Sequence, residues 1–415
     1  MDADRILTVT LDLGRDLIHA GAEVWLVEER LGEIFDAYGF KSRDLQIMSD
    51  CLQATVHTNE GTVHTQIREV PGKEHNMDKL RSLSRLSSHI LEDIRKGDIP
   101  TPELIEEKLE SIRDRQSYRK IVLFLAAAFG AANFTMFFNG YRQDVAIVGF
   151  VSILIMFIKD RFVKTEDNPL ILNTLLAYIM EVLLILGMLS GFGRDLTSMT
   201  AGLILLLISG LGLTTGMRDL LHKNVLSGIT DFMQSLLGAM GIAIGISLAL
   251  LTFGEDILPH VQGQVVVQSP IVQIIASILG GVGFAVVFNC KGRTLVLSGL
   301  GVAATYLTYR FIDNLTSGNY FLATLVAACV AAFFANVVAY VIGSPPSIFL
   351  TTCVCPLLPG GSFYQTLYAI IVNDKASYSE HGRMVLLICI AIALGYIIIE
   401  VLFKYTRVIK QSITK

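Results

Sequence analysis

The chain has 415 residues, of which 52% are hydrophobic and 17% charged, and its mean hydropathy is +0.56. An average soluble chain is about 25% charged, so disordered, collagen-like and coiled-coil classes are excluded and a purely soluble protein is disfavoured. The net charge of −4 comes without a strongly basic face, which argues against nucleic acid as a partner.

Charge is unevenly spread. Positions 1–120 hold 17 basic and 23 acidic residues, and the other 295 positions only 16 and 14. This divides the chain into a soluble head, 1–118, and a membrane half embedded in the lipid bilayer. The start Met1-Asp2-Ala3-Asp4-Arg5 lacks an apolar signal core, so the head is expected in the cytoplasm.

Within the head, 5–20 and 22–38 read as amphipathic helices separated by Gly21-Ala22, with Gly39 as a stop signal. Segments 51–58 and 62–70 alternate as a hairpin. With Glu60-Gly61 as a two-residue loop, His57 faces His64 on the polar side. No third ligand stands at helical or hairpin spacing, so a solvated face is the preferred reading over a metal or a pH sensor. A helix follows over 77–96, and Thr101-Pro102-Glu103 starts another. The head is thus expected to be α+β, a small sheet with four helices. It shows no phosphate loop, nucleophile elbow or zinc signature. The six cysteines are scattered and read as small buried hydrophobes, so neither cofactor nor metal is expected.

Apolar spans follow near 121–138, 145–158, 169–190, 196–213, 231–253, 270–289, 294–311, 320–342, 347–372 and 384–403, ten crossings in all. The fold class is therefore an α-helical polytopic membrane protein of about ten helices. Lys159, Arg161, Lys164, Arg218, Lys223, Lys291 and Arg293 fall in inside loops. Arg142, Arg194, Arg310, Lys375 and Arg383 fall outside. This bias, with a basic tail over 406–415, puts both termini in the cytoplasm of a cell (inner) membrane protein. The stretch 254–270 lacks Lys and Arg and suits an outside loop.

Sliding the sequence by 150 positions superposes Ile121, Val122, Ala126, Gly130, Phe134, Phe138, Asn139 and Gly149 on Ile271, Val272, Ala276, Gly280, Phe284, Phe288, Asn289 and Gly299. A duplication into 119–255 and 269–405 gives each copy five crossings. Five is odd, so the second copy enters inverted, an architecture that transporters use for alternating access.

The fourth crossing of each copy is interrupted: by Ser209-Gly210-Leu211-Gly212-Leu213-Thr214-Thr215-Gly216, running into Arg218-Asp219, and by Pro356-Leu357-Leu358-Pro359-Gly360-Gly361-Ser362. Irregular backbone at membrane depth lines cavities or is buried in protein, and a restarted helix offers its N-terminus to a carboxylate. Ser209, Gly210, Thr214, Thr215, Arg218, Asp219, Pro359, Gly360, Ser362 and Tyr364 are therefore the substrate-binding candidates. Glu181, at mid-span in 169–190, is the candidate for carrying protons or binding an ammonium.

These residues resemble the threonine/serine exporter (ThrE-type) family in its fused two-repeat form with a cytoplasmic N-terminal domain. The resemblance is carried by Gly21-Ala22-Glu23 through Val27-Glu28, by Ile208 through Arg218-Asp219 with Gly228, and by Pro356 to Tyr364. Ser209 stands where that family usually has proline. The resemblance implies proton-coupled export of small amino acids; two-subunit relatives imply dicarboxylates instead. A membrane-embedded enzyme or a sensor are the rivals from other classes. An enzyme would need a nucleophile and base or a metal set within the spans, which hold no histidine and no paired carboxylate on one helix face. Homo-oligomer formation and the role of the head stay open.

Overall fold

The computed structural model describes residues 3–74, 76–163, 166, 168–208, 210–253 and 267–413, with backbone alone at 210, 211, 213, 214, 217 and 405–413. Ser209, Lys164, most of the expected outside loop 254–270 and the last two tail residues lie outside the described residues, as do the side chains of Thr214, Arg407 and Lys410.

The head comprises α1 (Ala3–His19), α2 (Val24–Ala37), β1 (Ser42–Ile47), β2 (Cys51–His57), β3 (Val63–Glu69), α3 (Met77–Arg95) and α4 (Pro102–Arg113). Gly21 and Gly39 take φ of 105° and 79°, left-handed values that suit glycine at these turns. The antiparallel sheet runs β1-β2-β3. The strand β1 was not expected, because Arg43, Asp44 and Gln46 interrupt its apolar pattern; it pairs along β2, joined by a turn closed from Met48 N–H to Cys51 O.

The hairpin register differs by one residue from the expected one. Three residues, Asn59-Glu60-Gly61, form the loop, Gly61 is left-handed (φ 86°), and Thr58 N–H bonds Thr62 O. His57 therefore pairs with Val63, and His64 with Val56. A one-residue slip turns the two histidines to opposite faces. His64, Gln66 and Arg68 instead bond Asp4, Thr8 and Asp12, spaced four apart along α1.

The remaining helices are α5 (Lys120–Phe137), α6 (Arg142–Phe162), α7 (Pro169–Leu189), α8 (Leu196–Leu207), α9 (Gly210–Leu221), α10 (Val225–Phe253), α11 (Pro270–Val287), α12 (Arg293–Leu315), α13 (Tyr320–Ile342), α14 (Ser347–Val354), α15 (Gly360–Ile371) and α16 (Lys375–Ile413). Among the described residues seven helices are long and apolar enough to cross a bilayer, and α14–α15, bent by 53°, brings this to eight. The chain is a polytopic membrane protein. The ten expected crossings also counted α6, whose ends carry Arg142, Asp144, Lys159, Asp160 and Arg161, and the pair α8–α9, twelve residues each.

Helix ends alternate between the head and the opposite face. At the head, Lys120 bonds Asp160 (2.6 Å), Lys73 bonds Asp231 (2.5 Å), Met77 N–H bonds Phe288 O, Arg85 bonds Ile342 O (3.2 Å) and Lys404 bonds Leu221 O (3.4 Å). One continuous core joins head residues such as Leu31 and Leu52 to Ala285, Ala328 and Phe349.

At the centre, α5 and α11 pack antiparallel. Phe134 stacks on Phe284 with ring centroids 5.2 Å apart, and a Cβ on Gly283 would stand 2.7 Å from Gly130 Cα. Only glycine permits that approach. Gly283→Val should destabilise the detergent-solubilised protein by about 1–3 kcal/mol, the usual cost of overpacking. Gly149→Ala, which adds a methyl inside α6 where nothing lies within 4 Å, should hold or raise the Tm in the same thermal-unfolding assay.

Candidate functional site

Two helical tracks of the membrane half are interrupted. α8 ends at Ile208, which is extended at φ/ψ −68°/122°. α14 runs through a 3-10 turn, Cys355–Leu357, to Leu358 at −66°/130°, and α15 restarts at Gly360 after Pro359. α8 lies against α15, and α14 against α9, so the half-helices pack crosswise.

The second break opens on a cavity of about 350 Å³ at the face away from the head. Pro359, Gly360 and Ser362 line it, together with Asn139, Thr197, Ser198, Gln273, Tyr306, Tyr309 and Arg310. Gly360 is held close: a Cβ there would meet Ala201 O at 3.1 Å, whereas one on Gly361 would meet nothing within 4 Å. Small-ligand pockets run from about 300 to 1,000 Å³, so an amino-acid-sized molecule fits.

Hydrogen bonds fix the polar wall. Asn139, left-handed at φ 74°, ends α5 and accepts from Gln268 N–H (3.1 Å) and Gln273 Nε2 (3.0 Å); Gln273 Oε1 accepts from the Tyr306 hydroxyl (2.7 Å). Ser198 donates to Phe138 O (2.6 Å) and also contacts Asp195. Gln365 Nε2 donates to Thr197 (3.0 Å).

Among the described residues the lining carries one charge, Arg310, and it makes no ion pair. No side chain caps α15, so the positive end of its backbone dipole meets the cavity near the break. A cavity lined by a cation and a helix N-terminus is suited to an anionic group.

Glu181 lies outside that lining. It is fully buried; Oε2 accepts from Thr200 (2.9 Å) and Oε1 has no partner among the described residues. Tyr364, also fully buried, packs in one core cluster with Met180 and Leu184, which flank Glu181 on α7, and its hydroxyl is likewise unpartnered among the described residues. Glu181, Thr200 and Tyr364 thus form a polar core behind the wall that α8 and α15 give the cavity.

Arg218 and Asp219 sit at the opposite end, beneath the head. Arg218 Nη1 bonds Glu23 at 2.5 Å and Nη2 bonds Glu400 at 3.1 Å, and all three are buried. Asp219 Oδ1 accepts from Trp25 N–H (3.1 Å), and the Trp25 indole stacks on His222 at 3.9 Å. Asn224 bonds Glu28, and Thr215 bonds Asp231, which holds Lys73. The structure therefore splits the sequence candidates into two places: Pro359, Gly360 and Ser362 at the cavity, and Thr215, Arg218 and Asp219 at the head seam. Gly210 starts α9.

Arg310, Gln273 and Thr197 also line the cavity, and the sequence pattern does not single them out. For Arg310, a cation at the end of the apolar run 294–311, the edge of a span, is the available signal.

A family model described as "Putative threonine/serine exporter" matches residues 8–253, and a second, "Threonine/Serine exporter, ThrE", matches 273–402. A Mycobacterium tuberculosis protein named "Probable threonine/serine exporter" is 22% identical over 381 residues, 89% of this chain and 71% of its own. The Corynebacterium glutamicum "Threonine/serine exporter" is 23% identical over 389 residues, 89% and 76%. No solved structure matches the chain.

Two substitutions test this division. Gly361→Leu, directed into open space, should abolish substrate flux while the Tm stays within a few degrees. Arg218→Gln leaves Glu23 and Glu400 buried without a cation and should cost about 3–5 kcal/mol, read as faster amide exchange across 20–28 and 218–224.

Proposed function

Because the chain belongs to the threonine/serine exporter family, we propose that it is a secondary transporter that exports small amino acids such as threonine and serine. The observation that carries this reading is the cavity at the second break, lined by Arg310, its lone charge among the described residues, and by the uncapped start of α15. The guanidinium and the helix end take the substrate carboxylate. Tyrosine rings and the hydroxyls of Thr197 and Thr324 receive the ammonium.

In this reading the membrane half crosses ten times as two inverted copies and works by alternating access. Several equivalences support the duplication. Gln268 N–H bonds Asn139 Oδ1, and Tyr118 N–H bonds Asn289 Oδ1, each at 3.1 Å and each partner shifted by 150 positions. The left-handed non-glycine pairs Asn139/Asn289 and Lys223/Asn373 share that shift. So do the glycines Gly245 and Gly395, which seat α10 against Thr174–Tyr178 and α16 against Leu325–Cys329. The break residues Ile208 and Leu358 repeat it again. With the head in the cytoplasm of an inner-membrane protein, the cavity faces outward and the Arg218 seam closes the inner side. Glu181, buried beside Tyr364, carries the coupling proton.

A dicarboxylate is the second reading, favoured by one feature: no acidic side chain among the described residues lines the cavity to hold an ammonium.

Counterflow in proteoliposomes separates these. Labelled threonine should accumulate with the unmodified protein. Accumulation of labelled succinate alone supports the dicarboxylate, and no flux of either by folded protein rejects the site. Arg310→Gln removes a charged hydrogen bond of about 1.5–3 kcal/mol and should raise the KM about 10- to 100-fold. Glu181→Gln should abolish pH-driven efflux yet leave exchange measurable; an unchanged pH dependence removes it as the proton carrier.

A further inference from the structure

A second cleft, of about 720 Å³, lies between α3 and α4 of the head and the last turn of α13. Its lining is basic: Arg81, Arg85, Lys108 and Arg115, with His89, against Asp78 and Glu92. Both acids are already engaged. Lys291 holds Asp78 at 3.2 Å, with Arg115 at 3.9 Å on its other oxygen, and Lys96 holds Glu92 at 2.7 Å.

The arginines are left without enough anions. Arg81 Nε is buried with no partner among the described residues. Burial, and the nearby charges of Arg85, Arg293 and Arg115, push the Arg81 guanidinium below its ordinary value, against the pull of Asp78. Four guanidinium groups so close repel one another unless an anion sits between them.

Position narrows the choice of anion. Arg85 donates to Ile342 O, the last carbonyl of α13, and Gly343 lines the cleft. On that same turn Tyr340 and Val341 are 79% and 76% exposed. A charged cleft thus stands directly above an apolar surface carrying a tyrosine, the layering of a membrane–water boundary. A ligand with a phosphate above and acyl chains below meets both parts. Guanidinium forks match phosphate oxygens bidentately, and anionic headgroups enrich the cytoplasmic leaflet.

We propose that this cleft binds the phosphate of an anionic phospholipid headgroup, coupling the head to the bilayer surface beside α13. The site is separate from the transport cavity, so its test does not depend on flux.

Full-length protein is reconstituted in nanodiscs of phosphatidylcholine with or without phosphatidylglycerol, and retained lipid is counted by native mass spectrometry. Phosphatidylglycerol should be retained over phosphatidylcholine, and the pair Arg81→Gln with Arg115→Gln should lower that retention about tenfold. Equal retention of the two lipids by the unmodified protein overturns the proposal whatever the variant does, as does undiminished retention by a variant whose Tm in phosphatidylcholine is unchanged. Inorganic phosphate alone, added to phosphatidylcholine discs, should leave the Tm in place. A rise matching that given by phosphatidylglycerol makes the ligand a soluble phosphate and overturns the lipid assignment.

Discussion

The buried guanidinium of Arg218 is the interaction on which the arrangement depends. It ties three distant segments of chain: Glu23 from the head, α9 after the first break, and Glu400 on the last helix. Two carboxylates and one cation taken out of water are costly to assemble, and removing one partner is costlier still. Around it, Trp25 covers His222 and donates its backbone N–H to Asp219. The head is therefore not an appendage on a linker. Its core is continuous with that of α13 and α14, and its first helix–helix turn is a structural part of the seam.

That seam has no counterpart 150 positions further along the chain. Positions 150 residues beyond Arg218 and Asp219 are Tyr368 and Ala369, which cannot form an ion pair. One face of the molecule is thus sealed by charge and by the head, and the other holds the cavity at Pro359–Ser362. In the proposed transport cycle this asymmetry gives the two sides different gates. Opening toward the head requires Glu23 and Arg218 to move together or to separate, so the head participates in the conformational change.

The second break was legible because proline punctuates a helix locally, and Leu358 leaves the helix there; the first is narrower than expected, since only the step at Ile208 is irregular and the run Gly210 to Gly216 is helical within α9. Glu181 was legible as a charge among apolar neighbours. The partners of Arg218 were not, since Glu23 lies 195 positions away and no periodicity joins them. The hairpin register was missed because Gly61, in a left-handed turn, extends the loop by one residue. Arg310 was read as a topology marker because sequence shows a cation at a span edge but not that Gln273 and Asn139 close a wall beside it.

The central claim is that substrate binds at the second break, from the face opposite the head. The most direct measurement is labelling of Ser362→Cys, in a background lacking the native cysteines, with a membrane-impermeant thiol reagent applied from either side. The account predicts labelling from the outside that threonine slows in proportion to its occupancy. Labelling that threonine leaves unchanged, in a protein that still transports it, would contradict the account.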